Sequence, residues 1–172
     1  MNYKEQLGKI STFIFDVDGV FTDNIVWLTS DGEQMRTANV KDGYAVQLAI
    51  KCGYQIAIIS GGKSEAVRTR FEKLGVTEVH LGSSNKKIVY ETLQEKWKFQ
   101  DSEVCYMGDD IPDLPLLQRA GLACCPADAA PEIKAVSHYI SNKKGGEGCV
   151  RDILEQSLKL QGHWLKNESL IW

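Results

Sequence analysis

Residues 12–23 read TFIFDVDGVFTD, a short and mostly apolar run that ends in two aspartates, Asp16 and Asp18. Short apolar runs bounded by polar turns are typical of strands that are buried on both faces of a parallel sheet. Ligands of such sheets bind beyond the carboxyl ends of the strands. The sequence therefore predicts that Asp16 and Asp18 lie at the ligand-binding edge of a parallel sheet.

Similar apolar runs recur along the chain and alternate with segments of helical spacing. The further runs predict strands at residues 55–59, 79–81, 104–107 and 122–125. The other segments predict helices at residues 44–52, 64–74, 85–97, 112–119 and 150–160. Strands that alternate with helices are typical of βαβ units, whose right-handed crossovers place helices on both faces of the sheet. We therefore expect a Rossmann-like, three-layer α/β fold with a mainly parallel sheet.

One segment interrupts this alternation between the first strand and the first helix. Residues 25–28 and 34–40 flank an Asp31-Gly32 turn, which predicts a β-hairpin at about residues 24–40. The chain of 172 residues suits one domain over residues 1–172, with a C-terminal tail at about residues 162–172. That tail carries five apolar side chains beyond Gly162, which is unusual for a free end.

Composition excludes several classes of protein. The chain has 20 Lys and Arg against 23 Asp and Glu, and a net charge of −3 argues against a nucleic-acid binder. No apolar run approaches the roughly 18–20 residues of a membrane span, and the polar segment 1–11 does not resemble a signal peptide. The five cysteines lack the spacing of zinc or redox motifs, which favours buried thiols in a reducing cytoplasm.

The residues that follow the predicted strands share one chemistry, that of phosphate bound on a divalent cation. Carboxylates are hard ligands for Mg²⁺, backbone N–H groups near a helix start bind phosphate oxygens, and a lysine balances charge. The residues that could supply these groups are Asp16, Asp18, Ser60, Gly61, Lys86, Asp109, Asp110 and Asp113. Taken singly, each of these residues has a common structural explanation as part of a turn, a helix cap or a solvated lysine. Their occurrence together at strand ends indicates a phosphate-binding site.

These motifs resemble the four signatures of the haloacid dehalogenase-like phosphatase superfamily. The first signature resembles residues 15–23, the second Ile59-Ser60-Gly61, the third Lys86, and the fourth Gly108-Asp109-Asp110 with Asp113. The resemblance spans roughly residues 10–160. It implies a Mg²⁺-dependent phosphoric monoester hydrolase that works through an aspartyl-phosphate intermediate.

The resemblance also implies a role for each residue. Asp16 would be the nucleophile, and Asp18 would be the general acid and then the base that activates water. Mg²⁺ would be bound by Asp16, the backbone carbonyl of Asp18 and Asp109. Asp110 and Asp113 would support the metal site, Ser60 and Gly61 would bind phosphate, and Lys86 would steady both phosphate and Asp16.

A subfamily is indicated by what the chain lacks. Superfamily members usually insert a cap domain, and neither the hairpin nor residues 60–86 has room for one. The pattern resembles the small, capless, tetrameric sugar-acid phosphatases, supported by residues 40–44 (VKDGY) and 145–151 (GGEGCVR). This implies a homotetramer assembled by the hairpins, with a neighbour's glycine motif and tail helping to close each site. It also implies a small phosphorylated sugar acid as the substrate.

Two positions depart from that subfamily. Gly62 and Lys41 stand where arginine is common. Arginine binds a carboxylate bidentately and lysine does not, so Lys41 and Arg70 both remain candidates for the group that holds the substrate carboxylate. Relatives that act on nine-carbon acids carry glutamate at position 62, so its absence favours an eight-carbon acid over a nine-carbon one.

Two readings from other classes are weaker. A receiver-type signalling module also combines a phosphorylated aspartate, metal-binding acids, a hydroxyl and a lysine on a parallel sheet. Its phosphoacceptor follows the third strand, where this chain has Gly82-Ser83-Ser84 and no aspartate. A non-catalytic phosphate-binding homologue has no positive support, because every motif residue is intact.

Overall fold

A computed structural model describes residues 2–172, except for the side chain of residue 168. Six parallel strands form one sheet in the order β5-β4-β1-β6-β7-β8, and a separate two-stranded antiparallel hairpin pairs β2 with β3. The strands are β1 (Thr12–Phe15), β2 (Trp27–Leu28), β3 (Gln34–Met35), β4 (Gln55–Ile59), β5 (Glu78–His80), β6 (Val104–Met107), β7 (Leu122–Cys125) and β8 (Tyr139–Ile140). The central strand β1 therefore has β4 on one side and β6 on the other, with Phe13 opposite Ile56 and Cys105.

Helices cover both faces of the sheet and create two hydrophobic cores. One core involves α1 (Tyr3–Leu7), α2 (Val40–Lys51), α3 (Glu65–Lys73) and α7 (Cys149–Leu160), and the other involves α4 (Lys86–Trp97), α5 (Leu114–Leu117) and α6 (Pro131–Val136). Successive side chains of a strand point to opposite faces of the sheet and so pack in different cores. In β1, Phe13 and Phe15 belong to the first core and Ile14 belongs to the second. Burial on both faces explains the uninterrupted apolar runs. The expected three-layer α/β fold is confirmed.

Several boundaries differ from the expected ones. Helix α2 begins at Val40 rather than at residue 44, because the side chain of Asn39 accepts a hydrogen bond from the backbone N–H of Lys41 and caps the helix. The hairpin lies where it was predicted, but its ladder is limited to β2 and β3, each two residues long. The helix expected at residues 112–119 is a 3₁₀ turn over 111–113 followed by the four-residue α5. The short elements α1, α6 and β8 were not predicted.

The C-terminal tail folds back onto the outer face of α2 and α7 of its own chain. The ring of Tyr44 stacks on Trp172 with centroids 5.8 Å apart, and its hydroxyl donates to the carbonyl of Ser169. The guanidinium of Arg151 lies 4.6 Å from the ring centroid of Trp164. These contacts engage two of the five apolar tail residues, while the side chain of Leu165 remains 73% exposed.

The described residues include no helix that is both long and apolar enough to cross a membrane. Four of the cysteines are buried thiols, namely Cys105, Cys124, Cys125 and Cys149.

Candidate active site

The predicted site residues meet at the carboxyl edge of the three central strands. Asp16 directly follows β1, Ser60 directly follows β4, and Asp109 lies two residues beyond β6. Because β1 pairs with both β4 and β6, these three side chains converge. Lys86 joins them as the first residue of α4. All four residues are buried, with exposed fractions of 8% or less.

The loop after β1 is tightly wound and presses against the loop after β6. The backbone N–H groups of Val20, Phe21 and Thr22 all donate to the carbonyl of Val17. Gly19 has a φ of +78°, and a Cβ at this residue would collide with the carboxylate of Asp109. Glycine after the second aspartate is therefore required both by the backbone conformation and by this close approach.

Three carboxylates and one ammonium group form the centre of the site. Carboxylate oxygens of Asp16, Asp109 and Asp113 lie within 4.8 Å of one another. The Nζ of Lys86 lies 2.7 Å from Oδ2 of Asp16 and 2.6 Å from Oδ1 of Asp113. The hydroxyl of Tyr106 also donates to Oδ1 of Asp113 over 2.6 Å. Lys86 thus bridges two of the three acids, and no side-chain cation of the described residues forms a salt bridge with the third, Asp109.

Asp113 is fully engaged by the protein and serves to brace its neighbours. Its Oδ2 accepts hydrogen bonds from the backbone N–H of Asp109 at 3.0 Å and of Asp110 at 3.4 Å. Oδ2 of Asp109 accepts a hydrogen bond of 2.8 Å from the side-chain amide of Asn24, a contact that the sequence analysis missed. Asp110 is exposed and forms a reciprocal cap with Asp113: its side chain accepts from the backbone N–H of Asp113, and its own N–H donates to the Asp113 carboxylate.

The pKa values of two of these acids are strongly raised, chiefly by burial and also by the neighbouring negative charge. Burial, together with the charge of Asp113, raises the pKa of Asp16 to about 7, and the same two causes raise the pKa of Asp109 to about 7. Burial alone would lower the pKa of Lys86, but the carboxylates of Asp16 and Asp113 outweigh it and the pKa is raised. A divalent cation with a preference for hard oxygen ligands, such as Mg²⁺, fits this set of donors and would neutralise the excess negative charge.

We expect the melting temperature of the metal-free protein to fall as pH rises from 6 to 8. The folded-state pKa values of Asp16 and Asp109, about 7, lie above the ordinary 3.8, so the folded protein binds more protons than the unfolded chain between these values. That stabilisation is lost as pH rises through 7. Because Mg²⁺ competes with the same protons, it should raise the melting temperature more at pH 8 than at pH 6.

Thermal unfolding in EDTA and in Mg²⁺ at both pH values would measure this effect. The Asp109→Asn variant is the control, since it removes one of the two titrating acids and should weaken both the pH dependence and the response to Mg²⁺. A melting temperature in EDTA that is flat or rises between pH 6 and pH 8 would contradict the expectation.

Asp18 lies at the rim of the site and is held by a residue that sequence reasoning missed. Its Oδ1 accepts a hydrogen bond of 2.6 Å from Nε of Arg36, and its Oδ2 accepts one of 3.1 Å from Nη2. Arg36 follows β3 of the hairpin and is the sole cation among residues 24–40. That isolated charge is the one sequence feature that could have drawn attention to it.

The segment after β4 is positioned by Ser60. This residue is buried, and its Oγ accepts a hydrogen bond of 3.1 Å from the backbone N–H of Gly62. Gly61 lies on the exposed side of this turn. The two glycines lie in the turn before α3, which begins at Glu65 with Ser64 as its N-cap, one residue from the predicted start.

An open cleft of about 830 Å³ separates the hairpin from the start of α3. Residues 32–38 line one wall and residues 61–67 line the other, with Arg70 at one end. Of the two candidates for a substrate carboxylate, Arg70 lines this cleft, and its Nη2 donates to the carbonyl of Asn39 over 3.2 Å. Lys41 is exposed on the first turn of α2 and lies outside the residues that line the cleft.

The motifs at residues 40–44 and 145–151 contact the loop after β1 and each other within the same chain. A Cβ at Gly145 would collide with the carbonyl oxygen of Gly19, and the backbone N–H of Gly146 donates to the carbonyl of Val20 over 3.0 Å. Asp42 accepts a hydrogen bond of 2.6 Å from the backbone N–H of Arg151 in the first turn of α7, and burial raises its pKa to about 6. Asp42 thereby ties α2 to α7, next to the loop that carries Asp18.

Comparison with known proteins agrees with this geometry. Residues 63–153 match the family model described as haloacid dehalogenase-like hydrolase. The chain is 37% identical over 154 residues to the 3-deoxy-D-manno-octulosonate 8-phosphate phosphatase KdsC of Escherichia coli (strain K12), which covers 90% of this chain and 82% of that protein. It is 34% identical over 157 residues to the Yersinia pestis protein of the same name, covering 91% and 84% respectively.

Solved structures give the same result. The crystal structure of 3-deoxy-D-manno-octulosonate 8-phosphate phosphatase from Moraxella catarrhalis, in complex with a magnesium ion, a phosphate ion and KDO, superposes with a TM-score of 0.91 at 33% identity and covers 95% of each chain. The phosphatase of the same name from Yersinia pestis superposes with a TM-score of 0.91 at 33% identity, covering 93% of this chain and 86% of that one.

Proposed function

The chain belongs to the haloacid dehalogenase-like hydrolases, and we propose that it is a Mg²⁺-dependent phosphatase that hydrolyses 3-deoxy-D-manno-octulosonate 8-phosphate to the free sugar acid and phosphate. The observation that carries this proposal is the convergence of Asp16, Asp109 and Lys86 at one strand edge. Asp18 lies beside them, bound to Arg36, which lines a cleft large enough for a sugar acid. The relatives named above act on the same substrate by name, and one of them holds magnesium, phosphate and KDO.

The metal would be held by Asp16, Asp109 and the backbone carbonyl of Asp18. When bound, it would neutralise negative charge on the transferred phosphoryl group. Lys86 keeps its contact with Asp16 and adds a second positive charge beside the phosphate. The hydroxyl of Ser60 and the N–H of Gly61 would bind phosphoryl oxygens at the end of β4.

The reaction would proceed in two transfers. In the first, a carboxylate oxygen of Asp16 bonds to phosphorus, the bond from phosphorus to the sugar oxygen breaks, and Asp18 gives a proton to that oxygen. In the second, Asp18 takes a proton from a water molecule as the water attacks phosphorus, and Asp16 is released with free phosphate. The sugar alkoxide is a poor leaving group unless it is protonated, which is why an acid must stand at position 18.

Comparison of substrates tests the proposal. We expect catalytic efficiency on the eight-carbon acid phosphate to exceed that on the nine-carbon 2-keto-3-deoxy acid 9-phosphate by at least tenfold, or about 1.4 kcal/mol. A generic sugar phosphate is the control. If the nine-carbon acid is preferred, the specificity is wrong while the mechanism stands. If neither acid exceeds the control, the assignment to the sugar-acid phosphatases fails.

The alternatives from other classes separate in simpler assays. Membership of the hydrolase family removes the receiver-type module. A non-catalytic homologue would show no Mg²⁺-dependent turnover of p-nitrophenyl phosphate. We place the reaction in the cytoplasm, on the route to lipopolysaccharide, and the four buried thiols support a reducing compartment.

We also propose that the protein is a homotetramer assembled through the hairpin. Four large apolar side chains of the hairpin are exposed, with fractions of 55% for Ile25, 62% for Trp27, 78% for Leu28 and 53% for Met35. A two-stranded hairpin is marginally stable in isolation, and an apolar patch on it is costly unless another surface covers it. Contact between hairpins would bury these side chains.

Light scattering should therefore give a mass near four times the 19.2 kDa of the chain. The Leu28→Glu variant should reduce that mass, because it would place a charge within the covered patch. Leu160→Glu is the matched control at another exposed apolar residue, 52% exposed at the end of α7, and should keep the wild-type mass. A monomer mass for the wild type at micromolar concentration would refute the proposal.

A further inference from the structure

We propose that Arg36 binds the carboxylate of the substrate, and that it exchanges Asp18 for that carboxylate when the substrate enters the cleft. This inference rests on the proposed function, because it assigns the residue that recognises the acid group of the sugar. It adds a residue of the hairpin to the set that determines specificity.

The guanidinium of Arg36 already makes a bidentate contact with a carboxylate, that of Asp18 in the same chain. Nε and Nη2 donate to the two oxygens of Asp18 over 2.6 and 3.1 Å. Nη1 donates over 3.0 Å to the backbone carbonyl of Gln34. The bond to Gln34 does not depend on Asp18, so the guanidinium remains oriented if its carboxylate partner changes.

The surroundings of Arg36 favour it over the other cations. It lines the cleft together with Lys63 and Arg70. Arg70 is committed to the start of α2, since it donates to the carbonyl of Asn39 and packs against Gly43. Lys63 is exposed, and lysine presents a point charge rather than a planar fork. Arg36 therefore combines access to the cleft with the geometry that a carboxylate requires.

Gly62 leaves room for the exchange. A Cβ at residue 62 would lie 3.4 Å from Nη2 of Arg36 and 3.4 Å from Oδ2 of Asp18. Any longer side chain there would enter the space between the guanidinium and the opposite wall of the cleft. Because residue 62 is glycine, that space stays open beside the ion pair, and a second carboxylate can approach the same guanidinium.

The exchange also has a consequence for the reaction. While Arg36 holds both oxygens of Asp18, the carboxyl group is oriented toward the hairpin, and the guanidinium occupies one acceptor position on each oxygen. A substrate carboxylate that takes over the guanidinium frees Asp18 to rotate. Recognition of the acid group would thus precede and permit the proton transfer.

The test compares substrates with and without a carboxylate. We expect the Arg36→Gln variant to raise the KM for 3-deoxy-D-manno-octulosonate 8-phosphate at least tenfold. It should not lower kcat/KM for arabinose 5-phosphate, because that substrate has no carboxylate to displace Asp18 and the variant leaves Asp18 free. Arg36→Lys should fall between the variant and the wild type. Lys63→Gln, which removes another charge from the same cleft, should show a smaller loss confined to the acid. Equal losses on both substrates would mean that Arg36 only positions Asp18, and no loss on either would exclude any role; both results overturn the proposal.

Failure of the proposed function is a separate outcome of the same experiment. It would appear in the wild type as the absence of a preference for the eight-carbon acid over arabinose 5-phosphate. Arg36 would then be tested with 6-phosphogluconate against glucose 6-phosphate, where a wild-type preference for the acid that survives in Arg36→Gln would refute the assignment. A selective loss with Lys41→Gln instead would assign the carboxylate to Lys41 and equally overturn it.

Discussion

Replacing Asp16 with asparagine should lower kcat by about 10⁴-fold or more, because an amide cannot attack phosphorus to form the acyl-phosphate bond. The substitution should not unfold the protein. Asparagine has the same shape, and Lys86 keeps its contact of 2.6 Å with Asp113. At pH 8 the metal-free variant should melt no lower than the wild type. Burial and Asp113 raise the pKa of Asp16 to about 7, so at pH 8 the wild type carries a buried charge that destabilises it and that asparagine lacks. Steady-state kinetics and thermal unfolding measure the two effects.

Asp23→Asn is the matched control for this variant. It makes the same chemical change seven residues further along, at an exposed side chain whose Oδ1 accepts a hydrogen bond of 3.1 Å from the backbone N–H of Ile25. Its activity should stay within about twofold of the wild type, as surface substitutions usually do. If Asp16→Asn retains more than a few percent of the wild-type rate, Asp16 is not the nucleophile.

The parts of the fold that could be read from the sequence are those with strong local patterns. Strands β1, β4, β6 and β7 match the predicted segments because burial on both faces leaves an uninterrupted apolar run. Strand β8 has two residues and helices α1 and α6 have five and six. Elements of that length carry too little periodicity to be recognised, and contacts with distant residues hold them. The hydroxyl of Tyr139 in β8, for example, donates to Asp152 of α7.

The candidate site divides in the same way. Four site residues lie close to strand ends or at a helix start, namely Asp16, Ser60, Lys86 and Asp109. That they are near one another therefore follows from the order of the strands in the sheet. Arg36 reaches Asp18 because the hairpin folds over the carboxyl edge of the sheet, and no local pattern specifies that orientation. The sequence named Lys41 and Arg70 as candidates for the substrate carboxylate; of these two, Arg70 lines the cleft, and Arg36, which the sequence did not name, lines it as well.

Two motifs that pointed to function also have a structural role. Residues 145–151 place Gly145 against Gly19, where a larger residue would displace the loop that follows β1. Asp42, in the motif at residues 40–44, bonds to the backbone N–H of Arg151 and has one buried oxygen without a hydrogen-bond partner in the part of the chain that is described. A sequence motif can therefore contain residues that support a site as well as residues that form it. Only the distances in the folded structure distinguish the supporting residues from those that form the site.

Replacing Asp18 with asparagine should lower kcat on the sugar-acid phosphate by about 10²- to 10⁴-fold, the usual contribution of a general acid or base. With p-nitrophenyl phosphate the same variant should behave differently, because p-nitrophenolate leaves without being protonated. The first transfer to Asp16 would still occur, while the second would lack the base that activates water. Rapid mixing should therefore show a burst of nitrophenolate equal to the enzyme concentration, followed by slow turnover.

The burst distinguishes the acid–base role of Asp18 from a structural one. Asparagine keeps the side-chain shape and one oxygen that can accept a hydrogen bond from Arg36, so the loop and the hairpin should retain their arrangement. If Asp18 served only to anchor the hairpin through Arg36, Arg36→Gln would break the same ion pair and would produce the same burst. If Asp18 is the acid and base, Arg36→Gln keeps both steps and shows no burst, and near-wild-type turnover of the sugar-acid phosphate by Asp18→Asn would contradict that role.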